Sequence, residues 1–308
     1  MRPARTLPRR VLDAIRRQGL WTPGDRVLVA VSGGLDSTVL LHLLHHLRDG
    51  HRGVLEVVSI DHGIRPESAA EVAAVGEVAA RLGLDFHPLS LGVGPGPNLA
   101  ARAREARRAA LLALGADRIA TGHHQDDQAE TVLQHLLRGA GATGLSGMQP
   151  LAAPWCRPLL HEPREVLRAW AEEQGLGWVE DPSNADSERG RIRALMPQLD
   201  ALHGGATGAL SRTARLLARE DGLLAELTDL AWAQVARDGG LNRAALAAQH
   251  PALQLRLLRR LVADVPARVR ADPLEAVVGG ALMDGGQRDL GGGWVLRCIG
   301  GCLRVVAP

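Results

Sequence analysis

The run Val27-Leu28-Val29-Ala30-Val31-Ser32-Gly33-Gly34-Leu35-Asp36-Ser37-Thr38 leaves this chain few folds to choose from. Its apolar, β-branched start predicts a buried strand. Gly33 and Gly34 permit a sharp turn and let backbone come close to a ligand, with no Cβ in the way. Leu40, Leu43, Leu44 and Leu47 then recur at i, i+3, i+4 and i+7, one face of a helix. In the order strand, glycine turn, helix, the first helical amides lack internal acceptors and point above the turn. With the helix dipole they favour an anion there, most simply a phosphate. Ser32 and Ser37 add hydroxyl groups. Asp36 is out of keeping, because a carboxylate repels phosphate unless a divalent cation lies between them.

This is not a Walker loop, which needs Lys after its second glycine. The chain has no lysine at all, so its 36 basic side chains are all arginine. The spelling S-G-G-x-D-S after a strand resembles the pyrophosphate-loop ATPases, which cut ATP between the α and β phosphates. A plain βα turn with a capping serine is the alternative.

Further strands are predicted over 54–60, 84–91 and 118–122, and helices over 67–82, from Asn98 to about 114, and over 127–138. Strands alternating with helices imply a parallel sheet covered on both faces. In such a sheet ligands bind beyond the carboxyl ends of the strands. The segments 32–37, 61–65 and 122–130 all follow strands, so they converge on one edge.

After Pro150 the pattern changes. A helix is expected over about 163–175, then a polar loop at 180–184 and the arginines Arg189, Arg191 and Arg193. His203–Gly208 reads as a linker. This divides the chain into an α/β parallel-sheet domain, 1–205, and a smaller, mainly helical domain, 206–308. The second ends in a β-hairpin around Gly300-Gly301, with Cys298 and Cys302 on opposite faces.

Composition narrows the function classes. Aromatics are 2% of the chain, with no Tyr and one Phe, so base stacking on tyrosines is excluded. A net charge of +2 is compatible with a nucleic-acid partner without demanding one. Three cysteines without a C-x-x-C pair supply no disulfide framework and fit a reducing cytoplasm. No apolar run is long enough to span a bilayer.

Asp127 and Glu130, three apart, share a helix face off the expected core stripe Ala129, Val132, Leu133, Leu136 and Leu137. Acidic residues decorate many helix N-termini through the dipole alone. Beside the glycine loop, however, Asp36, Asp127 and Glu130 could hold Mg²⁺ against a polyphosphate through oxygen ligands. His62, His123 and His124 sit at strand ends, where they could orient phosphate or a base. His42, His45 and His46 lie opposite a leucine stripe and read as a solvated face.

The blocks Ser32–Ser37, 61–65 (Asp-His-Gly-Ile-Arg), 103–107, 122–131, 137–141, 157–160 and 180–184 follow one another as in the tRNA(Ile)-lysidine synthases. The chain is identified by this resemblance as similar to that family, strongly over about 25–200. The resemblance implies ATP and Mg²⁺ as cofactors, and the tRNA(Ile) anticodon region and free lysine as partners. The activity implied is adenylation of C2 of the wobble cytidine, then displacement of AMP by the lysine amine. It implies that Ser32, Gly33, Gly34, Leu35, Asp36, Ser37 and His62 hold ATP. Asp36, Asp127 and Glu130 would serve metal and catalysis. Arg104, Arg107, Arg191 and Arg193 would contact phosphate or tRNA. A cytoplasmic location and a homodimer are compatible with it. The chain departs from the family's pattern at Arg108, where Tyr is usual, and at Gly190, where Asn is usual.

A thiolase on the same fold would need reactive cysteines, and only Cys156 lies in the catalytic half. A non-catalytic ATP sensor would have no use for Asp127 and Glu130, and a plain tRNA-binding protein would show strong salt dependence and be indifferent to Asp36→Ala. The C-terminal arginines Arg212, Arg215, Arg219, Arg256, Arg259 and Arg260 are expected to help hold tRNA.

Overall fold

The computed structural model describes residues 6–61, 68–92, 94, 96–180, 188–265, 271–278 and 285–307. They belong to two compact units, Met1–Ala218 and Arg219–Pro308. The first runs α1 (Leu7–Arg17), β1 (Arg26–Ala30), α2 (Leu35–His46), α3 (Arg48–His51), β2 (Val54–Asp61), α4 (Ser68–Leu82), β3 (Asp85–Ser90), α5 (Leu99–Ala113), β4 (Arg118–Ala120) and α6 (Gln125–Leu137). Then come α7 (Ala142–Leu145), β5 (Leu151–Ala152), β6 (Trp155–Cys156), α8 (Arg164–Glu173), α9 (Glu188–Leu202) and α10 (Ala206–Val235), whose end lies in the second unit.

The sheet has the order β3-β2-β1-β4-β6-β5 and is parallel except at its β5 edge. Chain order reverses about β1, so the switch point lies between β1 and β4. That is where an open parallel sheet leaves a crevice at its carboxyl edge. The glycine loop leaves β1 on that edge. Val27, Leu28 and Val29 are fully buried, as a central strand covered on both faces requires. α2 is buried around most of its circumference, with Leu35, Val39, Leu40, Leu41, Leu43 and Leu44 in the core. It is therefore more deeply set than one leucine stripe suggests. His42 and His45 are half-buried, and only His46 is exposed.

The expected strands and helices of this unit are present within a few residues. Asn98 does precede α5, but it takes a left-handed φ of 55° and makes no side-chain cap bond. The leucines assigned to the core of α6 divide. Leu133 is buried, whereas Leu136 and Leu137 are exposed, because the last turn of α6 runs past what it packs on.

The second unit carries more strand than its sequence suggests. It adds β7 (Ala236–Arg237), β8 (Gly240–Asn242), α11 (Arg243–Ala247), α12 (Pro251–Leu261), α13 (Ala271–Glu275), β9 (Gln287–Gly291), β10 (Trp294–Ile299) and β11 (Cys302–Val306). The expected hairpin is β10–β11, with Ile299 opposite Cys302 across Gly300-Gly301. It forms the centre of a five-stranded antiparallel sheet, β7-β8-β11-β10-β9. Cys298 faces the core, one residue out of phase with Cys302. Two of the expected RNA-facing arginines have acidic partners here. Arg256 pairs with Asp221 at 2.5 Å, and Arg260 pairs with Asp229 at 2.5 Å while lying over Trp232. Among the described residues no helix is long and apolar enough to cross a membrane.

Gly122, just after β4, packs tightly against the backbone of the first turn of α2. A Cβ there would sit 3.0 Å from the carbonyl carbon and oxygen of Asp36 and from the Ser37 nitrogen. These are backbone atoms, which cannot swing aside. Gly122→Ala is expected to destabilise the fold by about 1–3 kcal/mol through overpacking. A urea titration should show a lower midpoint with an unchanged slope, and nucleotide affinity should fall with it.

Candidate active site

The glycine loop is locked by its own hydroxyls. The Ser37 hydroxyl donates to the Gly34 carbonyl at 3.0 Å and accepts from the Ser32 amide at 3.1 Å. The Ser32 and Ser37 hydroxyl oxygens are 3.2 Å apart. Gly33 has φ +80°, a conformation that side chains with a Cβ rarely adopt. The segment before residue 181 closes one side of the loop. Val179 donates its amide to the Gly33 carbonyl at 2.9 Å and bridges Gly34 in parallel. The loop's shape is therefore set before any ligand arrives, and the first turn of α2 keeps its positive end toward the sheet edge.

Three helix starts meet at that edge. Gln125, at the start of α6, donates its amide to the Glu162 carbonyl at 3.0 Å. Arg164, at the start of α8, donates its amide to the Asp126 carboxylate at 3.1 Å and its Nε to Asp36 Oδ1 at 3.3 Å. His124 caps α6, and the Asp127 carboxylate returns a bond to the His124 amide at 3.0 Å. The ring's Nε2 stands between two carboxylates, 3.5 Å from Asp36 Oδ2 and 3.4 Å from Asp127 Oδ2.

The protonation states follow from these neighbours. Burial opposes charge on His124, but Asp126, Asp36 and Asp127 outweigh it, and its pKa is pushed up to about 10. The Asp126 amide lies 3.2 Å from Nδ1, a bond open only to the neutral ring. In the imidazolium favoured by three carboxylates, Nδ1 instead turns its proton toward the Asp126 carboxylate, 3.6 Å away. Burial also raises Asp36, yet His124 and Arg164 together hold it below the usual carboxylate range. His123 is the opposite case. Burial drives its pKa down to about 4, against the pull of Asp127 and helped by Arg157, Arg189 and Arg107. Its ring is neutral, with Nδ1 2.8 Å from the Thr121 hydroxyl.

Asp127 and Glu130 do share a face, but it is a buried one. α9 packs Ile192 and Met196 against Ala129 and Leu133 of α6. Arg189 and Arg193, one turn apart on α9, then lie over the acidic pair. Arg189 reaches Glu130 Oε2 and Asp127 Oδ1, both at 2.7 Å. Arg193 reaches Glu130 Oε1 at 2.6 Å. Both Glu130 oxygens are thus engaged by arginine. Among the described residues no group of three or more His, Cys, Asp or Glu is placed to hold a metal ion. Asp36 and Asp127, flanking one ring nitrogen, do suit Mg²⁺, which takes one or two carboxylates and fills its remaining positions with phosphate and water.

The structure therefore brings together Ser32–Ser37, Asp36, Asp127, Glu130 and Arg193. Arg191 is exposed on α9 and takes no part in these contacts. Arg104 and Arg107 are solvent-accessible residues of α5, with Arg107 near enough to influence His123. His62 lies outside the described residues. Sequence reasoning placed neither Arg164 nor Arg189 in the site. Arg189 carried a signal in its i, i+4 spacing to Arg193, which matches the i, i+3 acids of α6. Arg164 had only its position after Pro163, at the start of a helix.

Beside the loop is a mainly apolar cavity of about 250 Å³, walled by Val31, Leu41, Val75, Val78 and Trp178. Cys156 is fully buried, and burial pushes its thiol pKa up to about 12.

Comparison with known proteins agrees with this geometry. A family model described as a PP-loop domain matches residues 5–199. A tRNA(Ile)-lysidine synthase of Methylobacterium nodulans is 39% identical over 316 residues, covering 94% of this chain and 90% of that protein. Those of Symbiobacterium thermophilum and Alkalilimnicola ehrlichii are 43% and 42% identical, over 71% and 77% of this chain. The chain spans about half the length of these last two, 49% and 56%. Among solved structures, the U34-tRNA thiolase NcsA from Methanococcus maripaludis, with its [4Fe-4S] cluster, superposes with a TM-score of 0.57. That match is 21% identical and covers 68% of this chain and 78% of the thiolase, a likeness of fold alone. With a PP-loop match over most of the first unit and a relative matched across nine-tenths of both chains, this chain belongs to the tRNA(Ile)-lysidine synthase family of PP-loop proteins.

Proposed function

We propose that this chain makes lysidine in the cytoplasm, by joining free lysine to C2 of cytidine 34 in a tRNA(Ile) with a CAU anticodon. The observation that carries this reading is the meeting of a prefolded glycine loop with two carboxylates, Asp36 and Asp127, at the switch point of the sheet. Family membership supports it.

ATP binds with its polyphosphate on Ser32–Ser37. Asp36 and Asp127 would hold Mg²⁺, and the ion would supply the positive charge that lets two acids stand beside a polyphosphate. The cytidine O2 attacks the α-phosphorus. That O–P bond forms as the bond to the β-phosphate oxygen breaks, and pyrophosphate leaves. The loop amides and nearby arginines stabilise the charge that develops on the leaving group. The lysine amine then attacks C2, the C2–O bond breaks, AMP departs, and the amine gives up a proton to the surroundings. Glu130 positions Arg189 and Arg193. Those two arginines balance Asp127 until nucleotide and cation arrive.

Thiolation is the weaker reading. Sulfur transfer through a protein thiol needs an accessible thiolate. Cys156 is buried and holds its proton, and the other two cysteines belong to the second unit.

The decisive assay is pyrophosphate release from ATP. It should require both lysine and tRNA(Ile), and labelled lysine should appear in the tRNA. Release without lysine incorporation would overturn the reading. Asp36→Asn and Asp127→Asn should each lower kcat by about a hundredfold or more while leaving the melting temperature within a few degrees. Glu130→Gln should behave differently. Glu130 is 3% exposed, but its partners Arg189 and Arg193 are 41% and 58% exposed, so water screens the charges left behind. The stability loss should be about 1–3 kcal/mol, below that of a fully buried pair. It is read from a denaturant midpoint.

A further inference from the structure

Four arginines stand on the Asp127 side of the site. Arg104, Arg107 and Arg108 come from α5, and Arg157 directly follows β6. Among the described residues none of the four makes an ion pair with a carboxylate. This sets them apart from Arg164, Arg189 and Arg193, and from Arg256 and Arg260 in the second unit. Arg157 donates Nη1 to the Gln149 carbonyl at 2.7 Å, and its buried Nε has no partner. Burial, Arg108 and Arg104 lower its affinity for a proton; burial and Arg104 do the same to Arg107. Repulsion of this kind is a standing cost unless an anion offsets it.

Arg108 is the best-fixed member. Its guanidinium carbon lies 5.0 Å from the centre of the Trp155 ring, within cation–π range. A guanidinium held on a ring still has edge N–H groups for an anion, and its planar fork suits a phosphate. Arg104, Arg107 and Arg108 keep access to solvent along α5, although protein atoms crowd the Arg107 head group enough to count as burial. An open, multiply charged face suits a long polyanion. A small phosphate is better held by an enclosed set of amides, which the glycine loop already provides.

We propose that Arg108, fixed on Trp155, acts with Arg104, Arg107 and Arg157 as a binding site for the phosphodiester backbone of the RNA substrate. The proposal rests on the reading of the chain as a tRNA-modifying enzyme and adds the face by which the RNA is gripped. Phosphates of ATP are the other possible source of anion, and the two are separable.

The test is binding of a tRNA(Ile) transcript by the full chain between 50 and 200 mM NaCl, with ATP affinity measured in parallel. Arg108→Gln and Arg157→Gln should each lower the slope of log affinity against log salt by about 0.7–0.9, the effect of one lost phosphate contact. ATP affinity should stay within twofold. Arg108→Lys keeps the charge and should keep most of the slope. Thermal melts identify any variant that has lost its fold; Arg104→Gln then replaces it in the same measurement. An unchanged slope in folded variants, or a loss of ATP affinity in place of tRNA affinity, overturns the proposal. If the wild type transfers lysine but the slopes do not move, only this proposal falls. If the slopes move but no lysine is transferred, the lysidine reading falls and the RNA face stands.

Discussion

Two like charges held close by one imidazole organise this site. Asp36 comes from the start of α2 and Asp127 from the start of α6, yet both approach His124 Nε2 within 3.5 Å. Their facing oxygens are therefore at most about 7 Å apart, where two unit charges repel by about 2 kcal/mol at an effective dielectric of 20. The charged ring relieves that repulsion, and burial together with the bond from its own amide to Asp127 keeps it from drifting away. Capping residue, acidic pair and glycine loop are thus one mechanical unit. The close approach of Gly122 to the Asp36 backbone fixes the spacing between its halves. Only glycine allows the first turn of α2 to sit so near the exit of β4.

The same logic explains why α9 belongs to the site. Glu130 lies one helical turn below Asp127, beneath α9 and away from water. A carboxylate there needs donors, and an arginine pair at i and i+4 supplies them in a fork that a lysine could not match. Apolar contact of Ile192 and Met196 with α6 sets the distance, and the charges set the register. A chain with no lysine therefore makes its ionic contacts with a group that stays charged at every working pH.

Much of this was legible from local sequence. The strand, the glycine turn and the helix of residues 27–47 are coded by neighbours in the chain, and the sheet edge follows from where each strand ends. What could not be read were pairings between distant segments. Asp127 and Glu130 stood out as off-stripe acids, but their partner face on α9 depends on tertiary packing. Arg193 has the look of a phosphate ligand, and its contact with Glu130 was not legible. Arg164 gave almost no signal, because its role comes from where α8 happens to start. Leu136 and Leu137 fit the helical period yet end in solvent, since periodicity says nothing about where a neighbouring element stops. In the second unit β9 reads Gln-Arg-Asp-Leu-Gly, with neither β-branched residues nor alternation. It is a strand because β10 offers it an edge, a case in which context overrides propensity.

Charge is distributed across the site in a way that separates the two kinds of ligand proposed for it. Around His124 the acids Asp36, Asp126, Asp127 and Glu130 are matched by Arg164, Arg189, Arg193 and the imidazolium itself, four against four. A balanced cluster of this kind gains little from a bare polyanion and more from one that brings a cation of its own. That suits a nucleotide arriving with its own divalent ion. On α5 and after β6 the balance is absent: Arg104 and Arg108 repel Arg157, Arg104 repels Arg107, and among the described residues the acid of that stretch, Glu105, pairs with none of the four. Such a surface is least stable when empty and gains most from a ligand that brings many negative charges and few cations of its own. An RNA backbone, which sheds its loosely held counterions on binding, is a ligand of that kind. The neutral His123, lowered first by burial and then by Arg157, Arg189 and Arg107, marks the boundary between the two regions.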